Sequence, residues 1–427
     1  MTDAPTASPF VVAERATQEL ASAPAGLVRH VRGLDGLRAL AAMAVIGYHL
    51  QFLVRSAHTP LAAVGSVGWV GVDLFFAISG FILFLPFARA HVDGTTVATR
   101  PFYVRRARRI LPGYWFNLAV LVVLVAPGWL ASAKGWLTIA ADATFTAGYV
   151  GATSVNSVYW SLYCEVAFYL ALPLLARAFV GGRWRWGLPA AIAVAVAFRA
   201  AVVLGSSGVS RDFLLVMQFP GVLDQFAFGM VGALVWSRWE RRERPVSPWV
   251  LRALVIGGMV GVLSVVVVIH HVIGLANFWS ARGPAAPLPL LTMRPLLSLF
   301  FTMVIVGVCM RGSILRAALE QRQVRFLGLV SFGLYLWHVP VIRWLEPVMG
   351  GTGATTSSYV IAGLVVVIVT TAVAAMSFYL VEAPFLGRAG HWAAPVVTGA
   401  RRVTGRMLGL PRRGTKDGHA PSADPRP

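Results

Sequence analysis

An all-α bundle of about ten transmembrane helices is the fold class this sequence predicts, on three observations. Hydrophobic residues fill 57% of the 427 positions and charged residues only 13%, where a soluble domain carries roughly 25% charged residues. Apolar runs of about 20 residues, long enough to cross the hydrocarbon core as helices, recur from one end of the chain to the other. The basic residues gather in short clusters between alternate runs, the pattern of cytoplasmic loops in polytopic proteins. The net charge of +20 therefore reports membrane topology, and no nucleic-acid partner is expected.

In chain order the runs lie near 34–54, 66–87, 114–133, 158–179, 187–205, 214–237, 249–272, 288–310, 326–345 and 357–380. Arg89 with Arg100 to Arg109, then Arg177 to Arg185, Arg238 to Arg244 and Arg311 to Arg325, fall in every second connection. The alternate connections hold little more than Arg55, Lys134, Arg211 and Arg282. The positive-inside rule then puts both termini in the cytoplasm, with the cell membrane as location. Residues 1–33 and 386–427 are rich in Ala, Pro, Ser and Gly and read as disordered tails, the second one basic, around a membrane domain at 34–385. No basic start followed by an apolar run opens the chain, so no cleavable signal peptide is expected and the first span is its own anchor. Cys164 and Cys309 fall in different spans, and no disulfide framework or metal-binding spacing is expected.

An ionisable group inside a bilayer is costly and by default faces the protein interior with a task. The first run, "LDGLRALAAMAVIGYHL", carries Arg38 near its start and His49 eleven residues later. That spacing is close to three helical turns, so both lie on one face about 16 Å apart. Counting residues inward from the loops brings Asp73 of "GVDLFFAISGF", Glu165 of "YWSLYCEVAFYL" and His338 of "SFGLYLWHVP" to the depth of His49. Ser161 and Tyr169 sit one turn either side of Glu165, and Ser331 and Tyr335 stack below His338. Either carboxylate could instead satisfy a buried arginine, and His338 could simply bond a neighbouring helix. Arg199 and Asp224, nearer mid-membrane, read as an ion pair or helix contact. The segment "TRPFYVRRARRILPGYW" reads as a loop whose arginines anchor topology or, more sharply, grip phosphate through their planar guanidinium forks.

These motifs together resemble the acyltransferase family 3 membrane proteins, which move acyl groups, commonly acetyl, from acyl-coenzyme A to hydroxyls of sugars and other acceptors. The resemblance covers about residues 30–390. It rests on Arg38, ten residues and His49; on "GVDLFFAISGF" with Asp73, Ser79 and Gly80; on "RRARRILPGYW"; on "WSLYCE" with Glu165; on "SFGLYLWHVP" with Tyr335 and His338; and on "VEAPF" with Glu382. It implies that His49 is catalytic and that Arg38 and the loop arginines help place coenzyme A. Many such relatives continue into a hydrolase-like extracytoplasmic domain. Only a polar tail follows the tenth run here, which leads to the expectation of a stand-alone enzyme.

The residues and the resemblance fit one scheme. Arg105, Arg106 and Arg109 would hold the donor's phosphates, Arg38 would line the path of its arm, and the thioester would reach His49. His49 would act as general base on the acceptor hydroxyl, with Asp73 or Glu165 orienting its ring; an acyl-histidine intermediate is the other route. Tyr335, His338 and Ser161 would contact the acceptor, a sugar, glycan or glycosylated metabolite. The expected partners are thus acyl-CoA, that acceptor and the lipid bilayer, without a metal. A carrier or flippase for an acyl donor or lipid-linked sugar is the alternative from another class, and a scaffold has no use for so many buried charges.

Overall fold

A computed structural model describes residues 31–54, 59–151, 153–205, 215–274, 287–350 and 355–386. The expected tails, and Arg55, Arg211 and Arg282, lie outside the described residues apart from the few at the tails' inner ends. Every regular element among the described residues is helical. The main ones are α1 (Leu34–Leu50), α2 (Val70–Val92), α3 (Thr99–Val120), α4 (Ala133–Ala143), α5 (Trp160–Phe179), α6 (Trp184–Gly205), α7 (Leu223–Glu240), α8 (Pro248–Val267), α9 (Pro287–Cys309), α10 (Arg322–Leu329), α11 (Ser331–Met349) and α12 (Thr356–Ser377).

A helix thus stands at each of the ten expected positions. Seven are long and apolar enough to cross a membrane, and α10 with α11, bent by 73° between them, makes an eighth. The other two are α1, at 17 residues, and α7, which carries Asp224, Arg238 and Glu240. Both lie inside the bundle, where partners rather than lipid receive their polar groups. Two boundaries differ from expectation. The arginine segment is not a loop but the opening of α3, which begins at Thr99 and continues through a π-turn to Val125. The ninth span begins at Ser331, because the chain turns sharply at Val330 after the short amphipathic α10.

The bundle is organised around α2, of whose span 72% is buried, against 17% for the lipid-facing α6. Membrane helices gain little from hydrophobicity against each other and rely on close backbone approach at small residues. On α2 and α7 this is literal: a Cβ on Gly80 would stand 2.1 Å from the Phe226 carbonyl oxygen, and one on Gly229 would stand 2.1 Å from that of Ala77. At the Arg38 end, Gly328 of α10 lies under the Asp35 carbonyl and Gly36 under Leu319, which seats α10 against the start of α1. The backbone N–H of Gly33 donates to Glu320 Oε1 at 2.6 Å, closing the same corner.

Candidate active site

The site grows from two parallel helices. Arg38 Nε on α1 donates to Ser331 Oγ at the start of α11, 3.2 Å away. Further along both helices His49 Nδ1 lies 3.3 Å from His338 Nε2, with the rings edge to face at 4.8 Å. The shared face of Arg38 and His49 is therefore turned onto α11 at both ends. His338 is fully buried, and His49 is half-buried. His49 Nδ1 also lies 2.9 Å from the carbonyl oxygen of Val45, one turn back on its own helix. A carbonyl oxygen only accepts, so Nδ1 carries the hydrogen and Nε2 is left as the unprotonated nitrogen. That is the form a general base needs.

Beside the histidines, Tyr335 and Ser161 share a hydrogen bond of 2.7 Å, and the tyrosine hydroxyl donates to the Val158 carbonyl at 3.0 Å. The Tyr335 ring is 5.7 Å from that of His338. All three residues expected to contact an acceptor thus line one buried polar patch between α5 and α11.

The carboxylates are placed differently from the expectation that one of them orients the imidazole. Asp73 turns to Arg294 of α9, whose Nη1 stands 2.7 Å from Oδ1, with both side chains buried. A second buried pair, Arg199 with Asp224 at 2.8 Å, lies close enough to interact electrostatically with the first. The arginine of that second pair also donates to the Gly221 carbonyl. Burial explains both pairs, because an ion stranded in low dielectric costs several kcal/mol unless a counter-ion is fixed against it. Arg294 was missed in the sequence; the available signal was a lone arginine within the apolar run near 288–310.

Glu165 sits deeper than Asp73. It accepts from Ser79 Oγ at 2.6 Å, and Ser79 lies six residues, or about 9 Å, along α2 from Asp73. Here it belongs to an arginine layer with Arg106, Arg38 and Tyr169 as electrostatic neighbours. The layer also holds Arg109, 3.6 Å from Glu382. Its Nη2 donates to the Leu329 carbonyl at 3.3 Å, and the guanidinium lies over the Phe378 ring. Gly113, one turn beyond Arg109, leaves just the space that the Glu382 carboxyl fills.

One turn of α3 thus divides the arginines expected to act together. Arg106 and Arg109 point inward, and Arg105 lies exposed on the outer side. Arg38, Arg106 and Arg109 face the carboxylates Glu165 and Glu382, with Asp35 also within electrostatic reach of Arg109. Arg106 Nε is buried with no hydrogen-bond partner among the described residues, the kind of donor that an anionic ligand satisfies. No group of three or more His, Cys, Asp or Glu side chains that could hold a metal ion occurs among the described residues. Outside the spans, Asp142 of α4 receives the Tyr163 hydroxyl and the Val155 N–H; burial pushes its carboxyl above the usual range against the pull of those bonds.

Comparison with known proteins agrees with the motifs. The chain is 25% identical to the peptidoglycan O-acetyltransferase OatA of Listeria monocytogenes, over 83% of this chain and 56% of that one. It is 27% identical to the putative peptidoglycan O-acetyltransferase YrhL of Bacillus subtilis, over 83% and 55% respectively. For the O-acetyltransferase OatA of Staphylococcus aureus the figures are 23%, 83% and 57%. The chain spans little more than half the length of these curated relatives. No solved structure matches. The acyltransferase domain family matches residues 31–378, which hold every motif above but the last, "VEAPF". The chain belongs to this family of membrane acyltransferases.

Proposed function

We propose that the protein is an acyl-CoA-dependent membrane O-acyltransferase that transfers an acyl group, acetyl in the first instance, to a hydroxyl of a glycan or glycosylated acceptor. The observation that carries this reading is the stacking along α1 of an imidazole with a free Nε2 above a cationic layer containing an unsatisfied Arg106 Nε. The named relatives support O-acetylation of a glycan as the reaction class.

In this reading acyl-CoA, bound from the cytoplasmic side, supplies an activated thioester. Arg106 and Arg109 pair with its phosphates, and Arg38 neutralises charge along the path toward His49. His49 Nε2 takes the proton of the acceptor hydroxyl as the new C–O bond forms. The C–S bond then breaks, and the proton passes to the departing thiolate, so the imidazole ends as it began. Glu382 holds Arg109 in place, and Glu165, bonded to Ser79, offsets the charge of Arg106 from nearby. The membrane domain at 34–385 carries all of these residues, with both chain ends on the cytoplasmic side.

The test pairs purified protein and radiolabelled acetyl-CoA with untargeted mass spectrometry of glycans, lipids and metabolites from a gene-deletion strain. Consumption of acetyl-CoA, and loss in the deletion strain of species heavier by one acetyl group, are expected. A purified protein that neither binds nor consumes acetyl-CoA would overturn the donor assignment.

A further inference from the structure

The role left vacant by Asp73 and Glu165 is that of the side chain that orients the catalytic imidazole, and among the described residues the polar side chain against its Nδ1 is that of His338. His49 Nδ1 has two neighbours, the Val45 carbonyl at 2.9 Å and His338 Nε2 at 3.3 Å. His338 repeats the arrangement on its own helix, with Nδ1 3.2 Å from the Leu334 carbonyl one turn back. Hydrogen positions follow from chemistry. Each carbonyl can only accept, so each histidine carries its hydrogen on Nδ1. His338 Nε2 is then a bare lone pair, and the His49 Nδ1–H is shared between it and the Val45 carbonyl. The opposite assignment, with His338 Nε2–H donating to His49 Nδ1, would set two ring lone pairs against two carbonyl oxygens. Around the fully buried His338 such unmade hydrogen bonds are expensive.

The geometry points to His338 as a positioning residue for His49: its Nε2 accepts from His49 Nδ1–H alongside the Val45 carbonyl, holds the ring in the orientation that leaves His49 Nε2 free, and steadies the positive charge when that nitrogen takes a proton. A carboxylate does this in hydrolase triads; here a neutral imidazole does it, with its own tautomer set by Leu334. The arrangement suits its surroundings, because a neutral ring beside His49 puts no uncompensated charge into the bilayer interior between turnovers. Tyr335, packed against the same ring and tied to Ser161 and Val158, holds His338 from the other side. This assignment rests on the acyl-transfer reading and reassigns His338 from acceptor contact to positioning.

The experiment uses full-length protein in lipid, labelled with 15N at histidine, with the His49 signal identified as the one lost in His49→Gln. Wild type should show His49 protonated at Nδ1 and bare at Nε2. His338→Leu should leave His49 Nδ1–H bonded to the Val45 carbonyl alone, shift the His49 ring signals and lower kcat by about 10²-fold, in the range of a general base's contribution, with KM for acetyl-CoA unchanged. His338→Gln, whose amide oxygen can still accept, should recover much of that rate. A His49 ring protonated at Nε2 in wild type overturns the proposal. So does a folded His338→Leu protein with unchanged kcat and unchanged His49 signal. If His338→Leu fails to fold, the wild-type spectrum and the His338→Gln rate still decide. Failure of the acyl-transfer reading is seen separately, as wild-type protein that neither binds nor consumes acetyl-CoA while the tautomer result stands.

Discussion

At the residue scale, the buried ion pairs separate structural from chemical charges. Asp73→Ala should strand Arg294 among apolar side chains, and breaking a buried pair in this way costs about 3–5 kcal/mol. The expected outcome is a clear drop in unfolding temperature in detergent. The double change Asp73→Asn with Arg294→Gln should recover most of that loss, and its transfer rate per folded molecule should stay near wild type. A double variant that folds but is inactive would return Asp73 to the reaction. The sequence made the costly residues visible and paired Arg199 with Asp224, but it did not show the partner of Asp73. Asp73 and Arg294 are 221 positions apart, and which helix face meets which is decided by packing, for example at Gly80 and Gly229, rather than by any local pattern. Arg38 and His49 were legible because their relation is within one helix, where a spacing of eleven fixes both face and depth.

At the element scale, the turn of α3 is the feature that matters. Arg105 and Arg106 are neighbours in sequence but about 100° apart around the helix, whereas Arg106 and Arg109 share a face. Arg106→Ala and Arg109→Ala should each weaken acetyl-CoA binding about 10- to 100-fold, the worth of a charged hydrogen bond at 1.5–3 kcal/mol. Arg105→Ala should change it little, as an exposed charge contributes about 0–1 kcal/mol. Calorimetric titration of the three variants checks this. The sequence could not divide the cluster, because a run so basic and so close to Pro112 reads as a loop until its helical register is known. Packing between elements gives a second expectation. Gly229→Leu, whose first side-chain atom already collides with the Ala77 carbonyl, should force α2 from α7 and lower both stability and yield, measured by fluorescence-detected size-exclusion chromatography.

At the scale of the whole molecule, the account depends on sidedness: donor and cationic layer together at the cytoplasmic end, and the histidines about 16 Å away toward the other face. The alternation of arginine clusters is what this expectation rests on, since charge bias in short loops sets orientation. Cys164 and Cys309 are both buried, so wild type should stay unlabelled by a membrane-impermeant thiol reagent. Arg105→Cys should then be labelled in inside-out vesicles and protected in intact cells; labelling in intact cells would reverse the topology and the donor's route with it. The central claim, that His49 is the base of an acyl transfer, is tested most directly by the turnover of purified, folded His49→Ala protein at saturating acetyl-CoA. The account predicts a loss of about 10²–10⁴-fold with acetyl-CoA binding retained, because the inward arginines are untouched. Near-normal turnover there would contradict it and remove His49 from the chemistry.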